Sequence, residues 1–528
     1  MDNKNVFVAI ALSMSVLLFW AAFFEEPRKI EDKTNQQQVK KDTENTITPS
    51  VNETFKIETI SREDSIKKSD RIKIENNNII GSLNLDGGLI DDVSFKKHKK
   101  DLKNNQNVEF LNPQDTLNGF YIETGWTSIN NKIKVPSKKT KWTVKGSKTL
   151  TKNQSVVMQW NNGEGIIFEK NIILDDKYLF KINQKVRNLT KEKIELYPYA
   201  QITRNKIPDD IQNFYISHEG FIGVFDGELK EDDYEDIKEN KIVREANEGW
   251  LGITDKYWMT AVVPKKGENF KSTFLFKDAF KANYILNNPT LVNPSSDSEN
   301  EIRLFVAAKE VDTIDTYALE QNIEKFDLVI DWGWFYFFTK PLFFIIDYLF
   351  KYFGNFGIAI VIITFGIRII FFPLANYSFR SMAKMKAVQP EMMRLKELHK
   401  EDKVKLQQEM MALYRKEKIN PASGCLPVLI QIPFFFAIYK MLFISLEMRH
   451  QPFFGWIKDL SDKDPTSIFN LFGLIPWDPP SFLIIGVWPC LMGLSMYIQQ
   501  KLNPAPPDPI QAKIFMFFPL FLTVILAP

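Results

Sequence analysis

Residues 356–374, FGIAIVIITFGIRIIFFPL, form an apolar run of bilayer-crossing length with one full positive charge, Arg368, inside it. A hydrocarbon core about 30 Å thick needs about 20 apolar residues in a helix, so the stretch is predicted to span and to carry Arg368 a few residues past its middle. Holding an arginine there costs about 2.5–3.5 kcal/mol on insertion scales and more than about 10 kcal/mol in simulation, so intramembrane charges default to functional or water-facing roles. The plainer alternative is snorkelling. Leu374 lies six residues on, roughly 9 Å at about 1.5 Å per residue, which brings the guanidinium within partial reach of the headgroups. This stretch alone leaves both readings open.

Across its 528 residues the chain is 45% hydrophobic and 25% charged, values that conceal a division. Residues 30–330 are polar and lysine-rich, whereas 332–528 hold apolar stretches of spanning length, which predicts one large soluble domain joined to a membrane domain. Cys425 and Cys490, the two cysteines, both fall in apolar runs, so the polar part carries no thiol and no disulfide framework is possible there.

At the start, residues 6–24 are 19 uncharged residues with no small-x-small cleavage site before Glu25, so residues 1–27 are expected to remain as a membrane anchor. Residues 28–54, rich in Lys, Gln, Asn and Thr, read as a flexible tether. From 55 to 330 the apolar pattern has period two, as in 156–160, 166–173 and 178–186, broken by Asp86-Gly87-Gly88, Asn162-Gly163 and Asp175-Asp176. Short strands without long helical patterns predict a large antiparallel β-sandwich. Within it, WLGITDKYW at 250–258 reads either as a core strand or as a binding edge.

Residues 331–353 are aromatic-dense but interrupted by Lys340, Pro341, Asp347 and Lys351, a pattern expected of an amphipathic helix lying along the membrane interface. The remainder, 354–528, is predicted to be a membrane α-helical bundle. Its polar block at 375–424 holds eleven Lys or Arg against six Asp or Glu. By the positive-inside rule that block faces the cytoplasm, which places the β domain and residues 30–330 in the periplasm or an equivalent compartment. Residues 381–399 and 402–417 each read as amphipathic helices, so the block is a cytoplasmic helical hairpin. Its apolar side chains include Met382, Met385, Met392, Met393, Met410 and Met411. Flexible thioethers suit a surface accepting varied apolar partners, and suit a helix–helix seam equally well.

Further spans are expected at 425–446, interrupted by Pro427, Gln431 and Pro433, and at 481–498. Lys440 sits near the far end of the first of these, placed to snorkel. The intervening loop, 447–480, has three Lys or Arg against five Asp or Glu, consistent with the outer side, and 501–513 is a proline-rich inner connection. A fifth span begins at Ile514 and reaches only about fifteen residues before Pro528, so the sequence stops partway through a membrane unit.

ITFGIRIIFFPL around Arg368, SMAKMKAVQPEM in the hairpin, QQEMMALYRKEKINPASGCLPVLIQIPFFFAIY through the next span, and QKLNPAPPDPIQAKIFMFFP closely resemble the YidC-type membrane protein insertases of Gram-negative bacteria. GWLGITDKYW and VFDGELKEDDYEDI resemble that family's periplasmic domain more loosely. The resemblance implies five core helices after the first anchor, around a wet groove open to the cytoplasm and to lipid, with a sixth span and a basic tail absent from this sequence. It matches Arg368 to the groove arginine, with Thr364 one turn earlier and Gln431 as a further polar lining group. Phe434 and Phe435, with Phe517, Phe518 and Phe521, resemble a hydrophobic slide along which a substrate helix passes into lipid. The implied partners are nascent integral membrane proteins, the lipid bilayer, Sec translocon components in one of two working modes, and the ribosome, which the hairpin lysines can engage through its RNA.

No cofactor or metal is called for. The sequence has no G-x-x-x-x-G-K-[ST] phosphate loop, and its β domain holds only His98 and His218 of four histidines, in no recognisable acid–base constellation, so the chain is not expected to be an enzyme. Two other readings compete with insertion. A solute transporter predicts an internal repeat with polar sites at corresponding midplane positions, which the sequence lacks. A membrane-anchored carbohydrate-binding or scaffold protein would place the function in the β domain instead.

Overall fold

Alternation of buried and exposed side chains runs along Ile166–Leu174, where every odd position of the strand is buried and every even one is half exposed. The computed structural model describes residues 60–528 except 103, 130–131, 210, 212–216, 421–425, 463, 465, 476, 478–484, 503–508 and 526–528. The expected anchor at 1–27 and tether at 28–54 lie outside the described residues.

The strands form two sheets. In the eleven-stranded one, Ile194–Arg204 runs antiparallel between Phe120–Thr127 and Ala279–Leu286. In the nine-stranded one, Ser296–Ala308 runs antiparallel between Trp258–Val263 and Leu179–Asn188, the latter in unbroken register from Leu179↔Phe305 to Asn188↔Ser296. Their inner faces meet: Trp126 of one sheet lies 5.0 Å from Phe168 of the other, and Phe274 lies 5.0 Å from Phe221. The Lys170 ammonium also crosses the gap, donating to the Thr124 carbonyl at 2.6 Å. This is the large β-rich domain expected, folded as a sandwich. The predicted turn at Asn162-Gly163 is formed by an Asx side chain, with Asn162 Oδ1 accepting from the Glu164 and Ile166 N–H groups, and Gly163 supplies the positive φ of +80° that the turn needs.

Helices α1 (Arg62–Lys67), α2 (Tyr234–Glu239) and α3 (Val311–Glu320) belong to the β domain. The helical region follows with α4 (Tyr336–Phe353), α5 (Phe356–Leu398), α6 (Lys403–Lys416), α7 (Leu426–Ile444), α8 (Val487–Leu502) and α9 (Pro509–Ile525). In α4, Thr339, Leu342, Phe343 and Ile346 make a buried stripe at helical spacing, while Phe337, Phe344, Tyr348 and Tyr352 are exposed. Lys340 pins the helix to the β domain through Asp315 at 2.9 Å and Asp327 at 3.2 Å. A corner follows at once. Gly354, left-handed with φ 67°, ends α4, Asn355 caps α5 through the Ile358 N–H, and Phe350 stacks on Phe356 at 3.8 Å.

Helix α5 differs from expectation. The predicted span and the first arm of the hairpin are one continuous helix of 43 residues, about 65 Å long, because 375–380 contains neither glycine nor proline to stop it. The polar residues 399–401 separate two helices, with His399 ending α5 and the Asp402 carboxylate capping α6 through the Lys405 N–H. Among the described residues α5 is the helix long and apolar enough to cross a bilayer, and shorter apolar stretches occupy Leu429–Ile444 and Lys513–Val524.

Candidate functional site: the α5–α7 face around Arg368

Three helices converge near Arg368. Helix α5 begins beside Phe453, whose ring fills the space next to Gly357, and fifteen residues on its Phe371 ring meets Phe434 of α7 at 5.0 Å. Phe453 lies past the C-terminal end of α7, so the two helices run antiparallel. Helix α4 closes the third side, with Phe338 4.4 Å from the same Phe434. Phe434, expected on an open slide, is therefore half-buried as a wedge between α4 and α5, whereas its neighbour Phe435 is 60% exposed.

Arg368 and Thr364 share an exposed face of α5, one turn apart. The Thr364 hydroxyl donates to the Ile360 carbonyl of its own helix at 2.7 Å. Among the described residues no carboxylate or hydrogen-bond acceptor pairs with the Arg368 guanidinium. Gln431 is half-buried on α7. It lies three residues before Phe434, and Arg368 lies three residues before Phe371. In an antiparallel pair those steps go opposite ways and separate the two levels by about 9 Å along the axes. Arg368 and Thr364 share one face of α5, but Gln431 is set nearly two turns from Arg368 and nearly three from Thr364.

Phe517, Phe518 and Phe521 are exposed on α9, which packs tightly on α8: the Thr523 hydroxyl occupies the space beside Gly493 where any larger residue would place its Cβ. Of the hairpin methionines, Met392 is buried at 4% exposure, Met382, Met385 and Met410 are half-buried, and Met393 and Met411 are exposed. The set is thus split between a seam and an outward surface. On α6, Met411 shares an open groove with Val404, Gln407, Gln408, Ala412 and Arg415.

Sequence reasoning missed the partner of Lys440. Rather than extending along the helix toward headgroups, its ammonium lies 2.6 Å from Asp331, between the β domain and α4. The acidic residue 109 positions upstream gave no periodic signal that pairs them.

Comparison with known proteins adds the decisive observation. The YidC periplasmic domain family matches residues 71–345, and the 60Kd inner membrane protein family matches 348–528. A curated membrane protein insertase YidC of Pelagibacter ubique is 54% identical over 528 residues, covering all of this chain and 94% of the relative. The chain belongs to the YidC family of membrane protein insertases. The counterpart in Bradyrhizobium diazoefficiens is 42% identical, covering all of this chain and 92% of the relative, and that of Brucella suis is 40% identical with the same coverage. Among solved structures, a galactose mutarotase related enzyme from Lactobacillus acidophilus matches 45% of this chain and 98% of its own at 12% identity and a TM-score of 0.33, too slight a likeness to bear on activity. As a YidC-family insertase, the protein is an inner-membrane protein with a β-rich periplasmic domain. It acts on nascent membrane proteins at the lipid bilayer and is not an enzyme.

Proposed function

We propose that the chain inserts and folds membrane proteins through a hydrophilic groove walled by α5 and α7, with Arg368 and Thr364 in it and Gln431 toward its cytoplasmic mouth. In this reading residues 354–528 form a multi-pass core with 375–424 as its cytoplasmic hairpin, α4 lies at the outer interface, and residues 55–330 are the periplasmic sandwich behind the 1–27 anchor and 28–54 tether. The observation that carries it is Arg368: an exposed guanidinium, with no carboxylate partner among the described residues, on the helix that has bilayer-crossing length. The excess of basic residues in 375–424 supports the orientation.

Dehydration is the barrier to moving a short polar segment across a bilayer. A groove shortens the hydrocarbon path, and a water-exposed guanidinium draws the acidic groups of an incoming tail. The substrate's apolar helix then partitions into lipid past Phe435, Phe517, Phe518 and Phe521, with Phe434 holding the wall rather than the path. The hairpin's exposed Met393 and Met411 suit contact with varied nascent helices. Sec translocon components and the ribosome are partners on the same reading, the hairpin's basic residues serving ribosomal RNA or anionic lipid.

Arg368→Ala tests it in vesicles, scored by protease protection of single-span substrates. Insertion of a substrate with an acidic tail should fall by about fivefold, the upper end of what losing a water-exposed charge pair costs, while a neutral-tailed substrate changes little. Equal insertion of both at normal protein levels would end the electrostatic role.

A further inference from the structure

Helix α5 starts its apolar run at Phe356, and the Phe453 ring fills the space beside Gly357, the next residue. Phe453 opens a tight turn: its N–H donates to the Ile457 carbonyl at 3.0 Å, and Gly455 supplies a left-handed φ of 65°. The turn presents Phe454 and Trp456 outward, 60% and 42% exposed, and Lys458 is exposed two residues further on. A tryptophan followed closely by a lysine is the pattern of headgroup depth. This turn therefore marks the outer edge of the bilayer on the molecule.

One hairpin of the β domain is fastened beside it. Strands Leu89–Lys99 and Asn107–Leu111 pair antiparallel, and 100–106 joins them. Arg449 donates to the carbonyls of Lys99 and Lys100 at 2.6 and 2.9 Å, and the Asp101 carboxylate acts through space on the His450 imidazole. His450 stands three residues before Phe453, so hairpin tip and aromatic turn are neighbours. The hairpin's base is held as well: His98 meets Trp258 at 5.2 Å, and the Lys256 ammonium lies 3.7 Å from the Phe443 ring centroid in the last turn of α7. WLGITDKYW is thus two things in succession, with Trp250 in the core and its far end packed on this same chain.

Residues 96–104, KKHKKDLKN, carry five lysines against one aspartate. The domain neutralises them only in part. Lys96 lies 3.4 Å from Glu75, Lys100 lies 2.6 Å from Glu109, and Lys99 donates to Asn107 Oδ1 at 2.7 Å. Lys97 is exposed and has no ion pair among the described residues. At the tip, Leu102 is 55% exposed. A solvated turn accounts for the lysines but not for a bare leucine among them, held beside Phe454 and Trp456. Cations around an apolar side chain suit a negative surface with hydrocarbon just beneath it. We propose that the hairpin 96–107 is a contact for anionic phospholipid headgroups of the outer leaflet, with Lys97 and Lys100 meeting phosphate and Leu102 entering between headgroups. The ligand is the lipid of the membrane that the chain itself spans. The contact decides where the β domain rests on that membrane and leaves insertion to the helices. It rests on α5 spanning with its Phe356 end outward, as in the reading above.

Fluorescence quenching on the full-length protein in vesicles tests it, in a background with Cys425→Ser and Cys490→Ser. A maleimide dye is placed on Asn105→Cys at the tip, on Phe365→Cys in the span, or on Leu189→Cys. Leu189 follows the far end of a ten-residue strand whose near end, beside Tyr178, reaches Glu310 and through it His98, so it serves as the water control. The vesicles are phosphatidylcholine alone or with about 30% phosphatidylglycerol, and carry a nitroxide on either the lipid headgroup or the acyl chain. The headgroup nitroxide should quench the Asn105→Cys dye at least about threefold more in anionic than in neutral vesicles, since each lysine near an anionic surface is worth about fivefold in binding. Salt at about 1 M should remove most of that difference, as should Lys97→Glu combined with Lys100→Glu. Equal quenching in neutral and anionic vesicles would overturn the proposal. So would an Asn105→Cys dye as unquenched as the Leu189→Cys dye, a result that would leave the lysines to a soluble acidic partner. The Phe365→Cys dye should be quenched by the acyl-chain nitroxide whatever the lipid charge. Its escape from quenching would sink the span and the contact together, whereas a quenched Phe365→Cys dye with an unquenched Asn105→Cys dye would sink the contact alone.

Discussion

The β domain and the helical region use the same apolar side chains against different solvents. Of the large apolar residues exposed among the described residues, seven lie before residue 330 and all the others after it. Trp250 has no exposed surface, donates its indole N–H to the Glu324 carbonyl, and meets Phe326 edge-on at 5.5 Å. Phe365, on α5, is two-thirds exposed. In the sandwich, stability comes from removing such rings from water; in the helices, the rings remain on the outside, where the bilayer of an inner-membrane protein can cover them. One region is built to be finished, the other to be completed by what it meets.

The largest expected contrast is between two aromatic truncations. Trp250→Ala should cost about 3–5 kcal/mol and lower the unfolding temperature of the β domain sharply, whereas Phe365→Ala should stay within about 0.5 kcal/mol, as calorimetry in detergent would show. Comparable losses at both sites would mean that Phe365 belongs to a packed interior and not to an open face.

Next in size is the pH dependence at the junction between the regions. Burial raises the Glu447 carboxyl to about 7, a shift the Val311 N–H only partly offsets. Between its ordinary value and about 7 the folded chain holds a proton that the unfolded chain has lost, so stability contributed here falls as pH rises through that window, by up to about 3 kcal/mol. Glu447→Gln, neutral at every pH and still an acceptor for α3, should flatten that slope between pH 4.5 and 7.5 in thermal melts.

A buried amine sharpens the comparison in the opposite sense. Burial lowers Lys170 to about 7 inside the sandwich. Above that value the folded state is neutral while the unfolded chain remains protonated, so this contribution to stability rises from pH 7 toward pH 10. Lys170→Met should be the more stable protein at pH 6, by about 1 kcal/mol, with the advantage shrinking by pH 9 as chemical denaturation would record.

An effect of similar size lies between neighbouring methionines near the end of α5. Met392→Ala should cost about 1–2 kcal/mol of helical stability because the side chain fills the seam, while Met393→Ala should cost less than about 0.5 kcal/mol and act instead on substrate cross-linking. A reversed order would place the seam on the other face of α5.

What was legible in the amino-acid order was local. Ile166–Leu174 announced a strand through its alternation, Asn162-Gly163 announced its turn, and the polar residues 399–401 marked the break between α5 and α6. The exposed position of Arg368 on α5 was legible as a candidate for the same reason, since a charge within an apolar run needs no partner to be noticed. Long-range choices were not. Lys440 invited a snorkelling reading because an ion pair across 109 residues leaves no periodic trace, and the wedge at Phe434 became visible only when α4 and α5 closed on it. The continuity of α5 through 375–380 is not legible in the sequence, because a change from apolar to polar composition looks like a boundary even where nothing interrupts backbone hydrogen bonding.

That continuity makes α5 a lever. From its capped start at Asn355 to Leu398 it reaches about 65 Å, with Arg368 only about 20 Å along and Pro373 and Pro390 in the part beyond it. A tilt of the whole helix by about 5° at the Gly354 corner would sweep its far end through about 6 Å and the Arg368 level through about 1.7 Å. Whatever pulls on the distal end of this rod is geared down more than threefold at the arginine, so coarse traffic at one extremity becomes fine adjustment at the other.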